Sequence, residues 1–257
     1  MKCGEPRHTI AMSPAASCLD RGGVCAYVGH ATAFAGDSSR IARALSWMTR
    51  AERDRYANFR HDRDRWMFAL GREMARSLVG AALEVSPDAW TWREGPHGRP
   101  EIAEPASPLH FNLSHSAGVV VCALSRNRAV GVDVEDLTRR APDPAIVTRY
   151  CSPAEAEDVC AQADGWRDRF LTYWTLKEAY LKARGLGISV PLSDVSFTLD
   201  PMGARVEFLD SLAGTDSRWL FHLCQPTERH LVAVAASAAD GVAPKVTVDS
   251  LPLDWLA

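Results

Sequence analysis

Hydrophobic and polar residues alternate along the chain in two patterns, one with the period of a helix and one rich in β-branched residues. In residues 38–59 and 62–85, apolar positions recur three or four residues apart, as at Leu70, Met74 and Leu78. Because an α-helix has 3.6 residues per turn, this spacing predicts two amphipathic helices.

The second half of the chain carries the helical pattern again, at residues 143–162 and 166–185. Within the first of these stretches, Ser152 and Glu155 stand in the order of a capping box, which predicts a helix start directly after the serine. Gly185 follows the second stretch and predicts its end, because glycine adopts the left-handed conformation that closes many helices.

Short runs rich in valine and other β-branched residues predict strands. Residues 24–34 contain the first run, and residues 119–135, 195–210 and 218–237 each contain two runs around a short polar turn. Each of the last three stretches therefore predicts a β-hairpin.

These elements predict the α+β fold class, built as a pseudo-two-fold pair of similar α+β halves that meet near residue 130. We expect an N-terminal half-domain at 24–130 and a C-terminal half-domain at 131–257. Residues 1–23 show no regular pattern and are expected to form a poorly ordered tail.

Composition narrows the class of protein. The 257-residue chain has a formal net charge of −3, with 47% hydrophobic and 24% charged residues, which is typical of a soluble globular protein. The chain has no excess of basic residues that would indicate nucleic-acid binding. No apolar run approaches the roughly 20 residues that span a membrane. The seven cysteines form no C-x-x-C pair, which argues against a zinc site and favours reduced thiols in the cytoplasm.

Two carboxylates interrupt the apolar run "VGVDVEDL" at 130–137. On a strand, Asp133 and Glu135 project from one face, while Val132 and Val134 point the other way into the core. A half-exposed edge strand with a solvated acidic face is one interpretation. The other is a magnesium site, because two buried like charges need a cation between them and Mg²⁺ prefers oxygen ligands.

A third acid occurs in "WTLKEAYLKARG", where Glu178 and Lys182 lie four residues apart on one face of a predicted helix. Such a pair is usually a weak surface ion pair. The alternative is a metal ligand or base beside a lysine that binds phosphate, and this stretch alone does not decide between the two.

The segment "HFNLSHSAG" at 110–118 places Ser114 and His115 before a turn. It lacks the G-x-S-x-G pattern of a nucleophile elbow, and a single histidine is more often structural than catalytic. A Ser–His pair before a turn can nevertheless gather hydroxyl, imidazole and backbone donors around an anion.

Taken in series, four motifs resemble those of the Sfp-type 4′-phosphopantetheinyl transferases, over residues 24–238. They are "GRP" (98–100), "FNLSHS" (111–116), "GVDVE" (131–135) and "WTLKEAYLKARGLG" (174–187). The resemblance implies a monomer with its active site at the junction of the halves. It also implies transfer of 4′-phosphopantetheine from coenzyme A to a serine of an acyl or peptidyl carrier protein, with release of adenosine 3′,5′-bisphosphate.

The resemblance also implies roles for individual residues. It implies magnesium ligands at Asp133, Glu135 and Glu178. It implies coenzyme A contacts at Arg55, Arg99, Ser114, His115 and Lys182. It implies that Glu178, Lys182 and Asp133 are the catalytic residues, with Lys182 neutralising charge on the phosphates and Glu178 taking the serine proton directly or through water. Glu155 matches an acid near the active site, and Lys177 matches the lysine that precedes the key glutamate.

Two positions depart from the family pattern. Glu52 and Phe68 stand where some members have a basic residue and a small hydroxyl residue for the nucleotide, so the contacts to the 3′-phosphate are expected to be redistributed, to Arg63 or Arg65. A docking surface for the carrier protein is expected at Arg139, Arg140 and Arg149, although a solvated linker explains these three arginines equally well.

Three rival interpretations remain at this point. A magnesium-dependent phosphohydrolase would also use three acids and a lysine. A degenerate homologue would bind carrier proteins without modifying them, but Asp133, Glu135, Glu178 and Lys182 are all present. An α+β protein with solvated acidic patches would require four motifs to coincide in order.

Overall fold

The structure is a computed structural model that describes residues 18–95, 99–139, 143–187, 190–200, 203–208, 218–238, 243–252 and 255. Its helices are α1 (Ser38–Ser46), α2 (Arg50–Asn58), α3 (Asp62–Leu83), α4 (Ala145–Tyr150), α5 (Pro153–Cys160) and α6 (Trp166–Arg184). Its strands are β1 (Val24–His30), β2 (Thr91–Glu94), β3 (Pro100–Glu104), β4 (Leu109–Ser116), β5 (Val119–Arg126), β6 (Val130–Asp136), β7 (Val195–Asp200), β8 (Gly203–Phe208), β9 (Trp219–Thr227), β10 (His230–Ser237) and β11 (Val246–Ser250). The mixture confirms the predicted α+β class.

Two sheets form the centre of the molecule. The first has the strand order β11-β1-β5-β4 and the second the order β6-β10-β9. Helix α3 packs on the first sheet and helix α6 on the second. Two ribbons, β2-β3 and β7-β8, complete the described strands.

The alternation of side chains along the central strands divides the core into layers. On β1, Val24, Ala26 and Val28 face an apolar layer between the sheets, while Cys25 and Tyr27 face the helix side. On β6 and β10 the residues of this shared layer are Val130, Val132, Val134, Val232, Val234 and Ala236. The residues between them therefore face helix α6, and this side of β6 carries the two acids.

Side chains of β4 join the two sheets where no strand pairing does. The amide oxygen of Asn112 accepts a hydrogen bond from the backbone N–H of Val132 at 2.9 Å. Two residues later, the hydroxyl of Ser114 accepts one from the N–H of Val134 at 3.3 Å. Because Asn112 and Ser114 lie on one side of their strand, they satisfy the edge of β6 and hold the junction of the two halves closed.

Two sequence-based expectations are wrong. Residues 119–135 do not form a hairpin, because β5 pairs with β1 and β4 while β6 pairs with β10 in the other sheet. Residues 38–59 form two helices, because Thr49 caps a new helix with a capping box to Glu52. The periodic pattern continues across this break and conceals it.

The other local predictions are confirmed. Helix α5 begins with the capping box of Ser152 and Glu155, and helix α6 ends at Gly185 with φ 65°. The hairpins in 195–210 and 218–237 appear as β7-β8 and β9-β10.

Residues near both ends of the described chain pack with the first sheet and its core. Of the expected tail at 1–23, residues 1–17 lie outside the described part, but Leu19 is only 1% exposed and packs in the core with Cys18. At the other end, β11 pairs in parallel with β1 and so lies in the first sheet. The division into 24–130 and 131–257 remains a prediction.

Gly131 allows β6 to touch the backbone of α6. A Cβ atom at this position would lie 2.1 Å from the carbonyl oxygen of Ala179 and 2.3 Å from the amide nitrogen of Ala183. We expect Gly131→Ala to lower the free energy of unfolding by about 3 kcal/mol or more, because backbone atoms must move apart. Urea denaturation of the variant measures this.

Gly71 in α3 is the matched control. A Cβ there would meet its nearest neighbour, Val120 Cγ1, at 3.8 Å, which is ordinary contact. Gly71→Ala is expected to be neutral or to stabilise by up to about 1 kcal/mol through helix propensity. If the two variants had the same free energy of unfolding, the α6–β6 contact would have to accommodate the added methyl group without cost.

Candidate active site

A lysine, a serine and an aspartate meet where β4, β6 and α6 come together. Lys182 Nζ donates to Asp133 Oδ1 at 2.6 Å and to Ser114 Oγ at 2.9 Å. The Ser114 hydroxyl in turn donates to Asp133 Oδ1 at 2.9 Å. Ser114 belongs to the N-terminal half and the other two to the C-terminal half, so the cluster spans the junction.

The pairing of Lys182 differs from the simple surface pair considered from sequence. Its ammonium is bonded across to β6, and its side chain is only 29% exposed. Glu178 lies one turn earlier on α6, and the positive charge of Lys182 acts to lower the pKa of Glu178. The positive charge of Lys182 therefore acts on both Asp133 and Glu178.

Glu135 and Glu178 both carry raised pKa values. For each, burial is the largest cause and the negative charge of Asp133 is the second. For Glu135, Arg139 opposes this shift with a 3.0 Å ion pair, and the Trp174 side chain also acts to lower the pKa. The three acids thus share a poorly solvated region in which the negative charge is only partly compensated.

The oxygen atoms that lack partners indicate what this region accommodates. Among the described residues, Asp133 Oδ2 and Glu178 Oε1 are buried without a hydrogen-bond partner. No group of three or more His, Cys, Asp or Glu side chains in that part of the chain is arranged to hold a metal ion. Open carboxylate oxygens fit Mg²⁺, which takes a few protein ligands together with waters and substrate phosphate. The three-ligand set remains a prediction.

His115 lies beside the cluster at the end of β4 and is exposed. Partial desolvation is the main cause that lowers the pKa of His115, and the charges of Lys182 and Arg55 lower it further. Gly118, in the turn that follows, lies close to the Arg63 guanidinium, which would be 3.8 Å from a Cβ at that glycine. Three cationic side chains, Arg63, Lys182 and Arg55, therefore lie near the end of β4 or the turn after it, which suits an anion.

The two departures from the family pattern have a structural explanation. Arg72 Nε contacts Glu52 Oε1 at 2.5 Å, and the other oxygen of that carboxylate caps α2 at Thr49. Phe68 lies between two guanidinium groups, with the Arg55 Cζ 5.2 Å and the Arg72 Cζ 4.6 Å from its ring centre. Arg72 thus neutralises the charge of Glu52. The Phe68 ring makes cation–π contacts with Arg55 and Arg72.

The Arg99 side chain bonds to the backbone of α6 and β6. Its Nη1 and Nη2 donate to the backbone carbonyls of Ala183 and Val130, at 2.7 and 3.3 Å. Gly98 of the same motif lies outside the described residues. A coenzyme A contact at Arg99 remains a prediction.

Glu155 and Lys177 form an ion pair inside the C-terminal half. The Lys177 Nζ and Glu155 Oε2 atoms are 2.5 Å apart, and the side chains are 1% and 0% exposed. Lys177 also donates to the carbonyls of Tyr150 and Leu192, and Glu155 accepts from the N–H of Phe197. These contacts hold α5, α6 and β7 together, and they direct Lys177 away from the acids on the neighbouring face.

Sequence reasoning gave no role to Asn112 or to Trp174, although both lie in quoted motifs. Asn112 bonds the edge of β6, and Trp174 lies beside Glu135. Trp174 also helps to form a pocket of about 110 Å³, lined by Arg139, Ile146, Tyr150, Phe170, Leu171 and Trp174. A polar residue at an inward position of a strand was the signal for Asn112.

The chain is similar to solved structures over less than half of its length. One is the holo-(acyl-carrier-protein) synthase from Bacillus anthracis in complex with coenzyme A (3′,5′-ADP), with a TM-score of 0.37 and 19% identity over 42% of this chain and 94% of that one. Another is the holo-[acyl-carrier-protein] synthase from Neisseria meningitidis, with a TM-score of 0.36 and 20% identity over 42% of this chain and 96% of that one.

Comparison of sequences is more decisive. The chain is 34% identical over 226 residues to a phosphopantetheinyl transferase from Thraustochytrium sp., covering 82% of this chain and 78% of that protein. It is 32% identical over 171 residues to a 4′-phosphopantetheinyl transferase from Bacillus subtilis, covering 66% and 73% respectively.

Family models cover both halves. Residues 129–235 match the model of the 4′-phosphopantetheinyl transferase superfamily, and residues 34–127 match that of the 4′-phosphopantetheinyl transferase N-terminal region. The first match contains the three acids and Lys182, and the second contains Ser114 and His115. With the junction site and the relatives above, these matches show that the chain belongs to the 4′-phosphopantetheinyl transferase superfamily.

Proposed function

We propose that this enzyme transfers 4′-phosphopantetheine from coenzyme A to a serine hydroxyl of an apo acyl or peptidyl carrier protein, in a Mg²⁺-dependent reaction. The observation that carries the proposal is the junction cluster, in which Lys182 joins Ser114 of one half to Asp133 of the other. A serine hydroxyl, a cation and a carboxylate within bonding distance suit phosphoryl-type transfer, where the protein mainly positions groups and neutralises charge.

The reaction forms one bond and breaks one. The serine oxygen bonds to the phosphorus that carries pantetheine, and the pyrophosphate P–O bond breaks with its electron pair on the leaving adenosine 3′,5′-bisphosphate. The serine proton passes to a carboxylate, which we assign to Glu178, directly or through water. Without a bound metal, burial and the charge of Asp133 raise the pKa of Glu178, and a bound Mg²⁺ would act in the opposite direction. The assignment of the base therefore rests on the family resemblance and on the position of Glu178 one turn before Lys182.

Asp133, Glu135 and Glu178 would hold the magnesium ion. When bound, Mg²⁺ supplies positive charge to the pyrophosphate oxygens. The Asp133 and Glu178 oxygens that lack hydrogen-bond partners among the described residues support this assignment. Lys182 stabilises the charge that develops on the phosphates, because its ammonium lies at the same junction and remains partly accessible.

Ser114, His115 and Arg55 supply the remaining contacts to coenzyme A in this proposal. Ser114 offers a hydroxyl at the cluster, and His115 and Arg55 lie close enough for the arginine charge to lower the histidine pKa. Arg63, which lies beside Gly118, adds a further cation to this group and is our candidate for the redistributed 3′-phosphate contact. An arginine suits that task because its planar fork matches phosphate geometry.

We also propose that the enzyme is a monomer in the cytoplasm. Both sides of the junction cluster come from one chain, so a second copy is not needed to complete it. The scattered cysteines are typical of a reducing compartment. No helix in the described part of the chain is long and apolar enough to cross a membrane.

Intact mass spectrometry tests the function. A panel of apo carrier proteins is incubated with the enzyme, coenzyme A and Mg²⁺. At least one carrier is expected to gain one phosphopantetheine, and to lose this gain when its acceptor serine is replaced by alanine. Omission of Mg²⁺ with added chelator should stop the gain. Cleavage of coenzyme A with every carrier left unmodified would instead favour a phosphohydrolase.

The surface beside Glu135 is our proposed docking site for the carrier. The pocket that Trp174 helps to form is mostly apolar, and Arg139 is one of its lining residues. The Cζ atom of the exposed Arg149 lies 5.3 Å from the centre of the Tyr150 ring. Arg140 lies outside the described residues. A carrier with acidic residues around its serine would be complementary to this surface.

Arg149 gives a cleaner test of docking than Arg139, because Arg139 is paired with Glu135. Arg149→Glu is expected to raise the KM for the carrier roughly tenfold, which corresponds to about 1.4 kcal/mol. The effect should shrink at high salt, and the KM for coenzyme A should not change. Arg218→Glu, at an exposed residue before β9, is the control. Equal carrier KM values for the two variants would remove this surface from consideration.

A further inference from the structure

Arg99 reaches from the N-terminal half to the backbone of the two elements that carry the active-site acids. It lies directly before β3, yet its Nη1 donates to the carbonyl of Ala183 in α6 at 2.7 Å. Its Nη2 donates to the carbonyl of Val130, the first residue of β6, at 3.3 Å. One guanidinium therefore spans the end of the helix and the start of the strand.

The carbonyl of Ala183 is a suitable acceptor because it lies in the last turn of α6. Carbonyls in this turn have no partner within the helix, and the negative end of the helix dipole favours a cation there. Gly185 closes the helix with φ 65°, and a Cβ there would lie 3.6 Å from Arg99 Cδ and Nη1. Arg99 thus acts as a cap that a distant segment supplies.

The two bonded carbonyls are close in sequence to the reacting groups. Ala183 directly follows Lys182, and Asp133 comes three residues after Val130. Between them, Gly131 packs against the backbone of Ala179 and Ala183. Arg99 closes one end of this α6–β6 contact, and the 2.6 Å bond from Lys182 to Asp133 closes the other.

The surroundings of Arg99 suit this role better than phosphate binding. Burial lowers the pKa of its guanidinium, and the two carbonyl dipoles compensate its charge. Lys182 and Arg55, in contrast, are the cations whose charges reach His115. A phosphate at Arg99 would have to compete with bonds that already order the helix end.

We propose that Arg99 is a positioning residue, which holds α6 against β6 so that Lys182 and Glu178 stand in register with Asp133. This inference rests on the proposed transfer reaction and replaces the coenzyme A contact expected from sequence. A displacement of about 1 Å at a reacting group can cost roughly 100-fold in rate, so a clamp at this contact has a measurable effect on turnover.

Steady-state kinetics of Arg99→Ala and Arg99→Lys test the proposal, with coenzyme A binding measured by calorimetry. Arg99→Ala should lower kcat roughly 10- to 100-fold, while the KM and Kd for coenzyme A stay within about twofold. Arg99→Lys should recover part of kcat, because an ammonium still donates to the Ala183 carbonyl. Arg93→Ala, at an exposed arginine of the same ribbon that pairs with Glu101, should match the parent enzyme.

Two results would overturn the proposal. A raised KM and Kd for coenzyme A with unchanged kcat would return Arg99 to phosphate binding. A lower Tm with unchanged kcat and KM would reduce its role to stability alone. Failure of the parent enzyme to modify any carrier would count against the proposed function, and that outcome is distinguishable because it does not depend on the variant.

Discussion

Asp133→Asn is expected to lower kcat for carrier modification by roughly 100- to 1,000-fold while the protein stays folded. Asparagine keeps the shape of the side chain and one oxygen that can accept from Ser114 and Lys182, but it removes the negative charge. The lysine then lacks its counter-charge, and the proposed magnesium site loses a carboxylate. Initial rates of carrier modification at saturating coenzyme A and Mg²⁺ measure the loss, with Tm as the check on folding.

Asp136→Asn is the matched control on the same strand. Asp136 is also buried, but Arg229 grips it at 2.8 and 2.6 Å, and this contact holds the pKa of its carboxyl well below its usual range. Its replacement should lower Tm and leave kcat near that of the parent enzyme. If Asp133→Asn transferred at a rate similar to that of this control, the assignment of Asp133 to the site would be wrong.

The local part of the site was predictable because alternation on a strand is a local property. The valines of "VGVDVEDL" face the layer between the sheets, so Asp133 and Glu135 emerge on the opposite side, as predicted. The same holds for Glu178 and Lys182, which share a face because they lie four residues apart on a helix. Spacing of this kind determines direction wherever the element itself forms.

The partners across the junction were not predictable from spacing. The hairpin expected at 119–135 failed because β6 pairs with a strand about 100 residues later in the chain, where tertiary packing overrides a favourable turn. The backbone bonds of Arg99 were not predictable for the same reason, since their acceptors are carbonyls 31 and 84 residues away. Backbone acceptors carry no sequence signature, whereas phosphate ligands in a familiar motif do.

Glu155 and Lys177 form a buried ion pair away from the junction cluster, so we expect this pair to affect stability rather than chemistry. Glu155→Gln is expected to lower the free energy of unfolding by about 3–5 kcal/mol, because it leaves the Lys177 ammonium in the core without a counter-charge. The backbone carbonyls of Tyr150 and Leu192 still accept from that ammonium, but they do not neutralise it. Urea denaturation measures the loss. An m-value equal to that of the parent enzyme, with a lower midpoint, would show that the stability itself has changed.

The double variant Glu155→Gln with Lys177→Met separates the cost of an unpaired charge from the value of the pair. Removing both charges should cost less than Glu155→Gln alone, because a buried ion pair replaced by neutral groups is often near neutral. The cycle should therefore give a coupling of roughly 1–3 kcal/mol between the two positions. Well below its Tm, Glu155→Gln should keep a kcat close to that of the parent enzyme, because its contacts lie in α5, α6 and β7 rather than at the junction cluster. A fully folded Glu155→Gln protein without transfer activity would instead place this glutamate in the reaction.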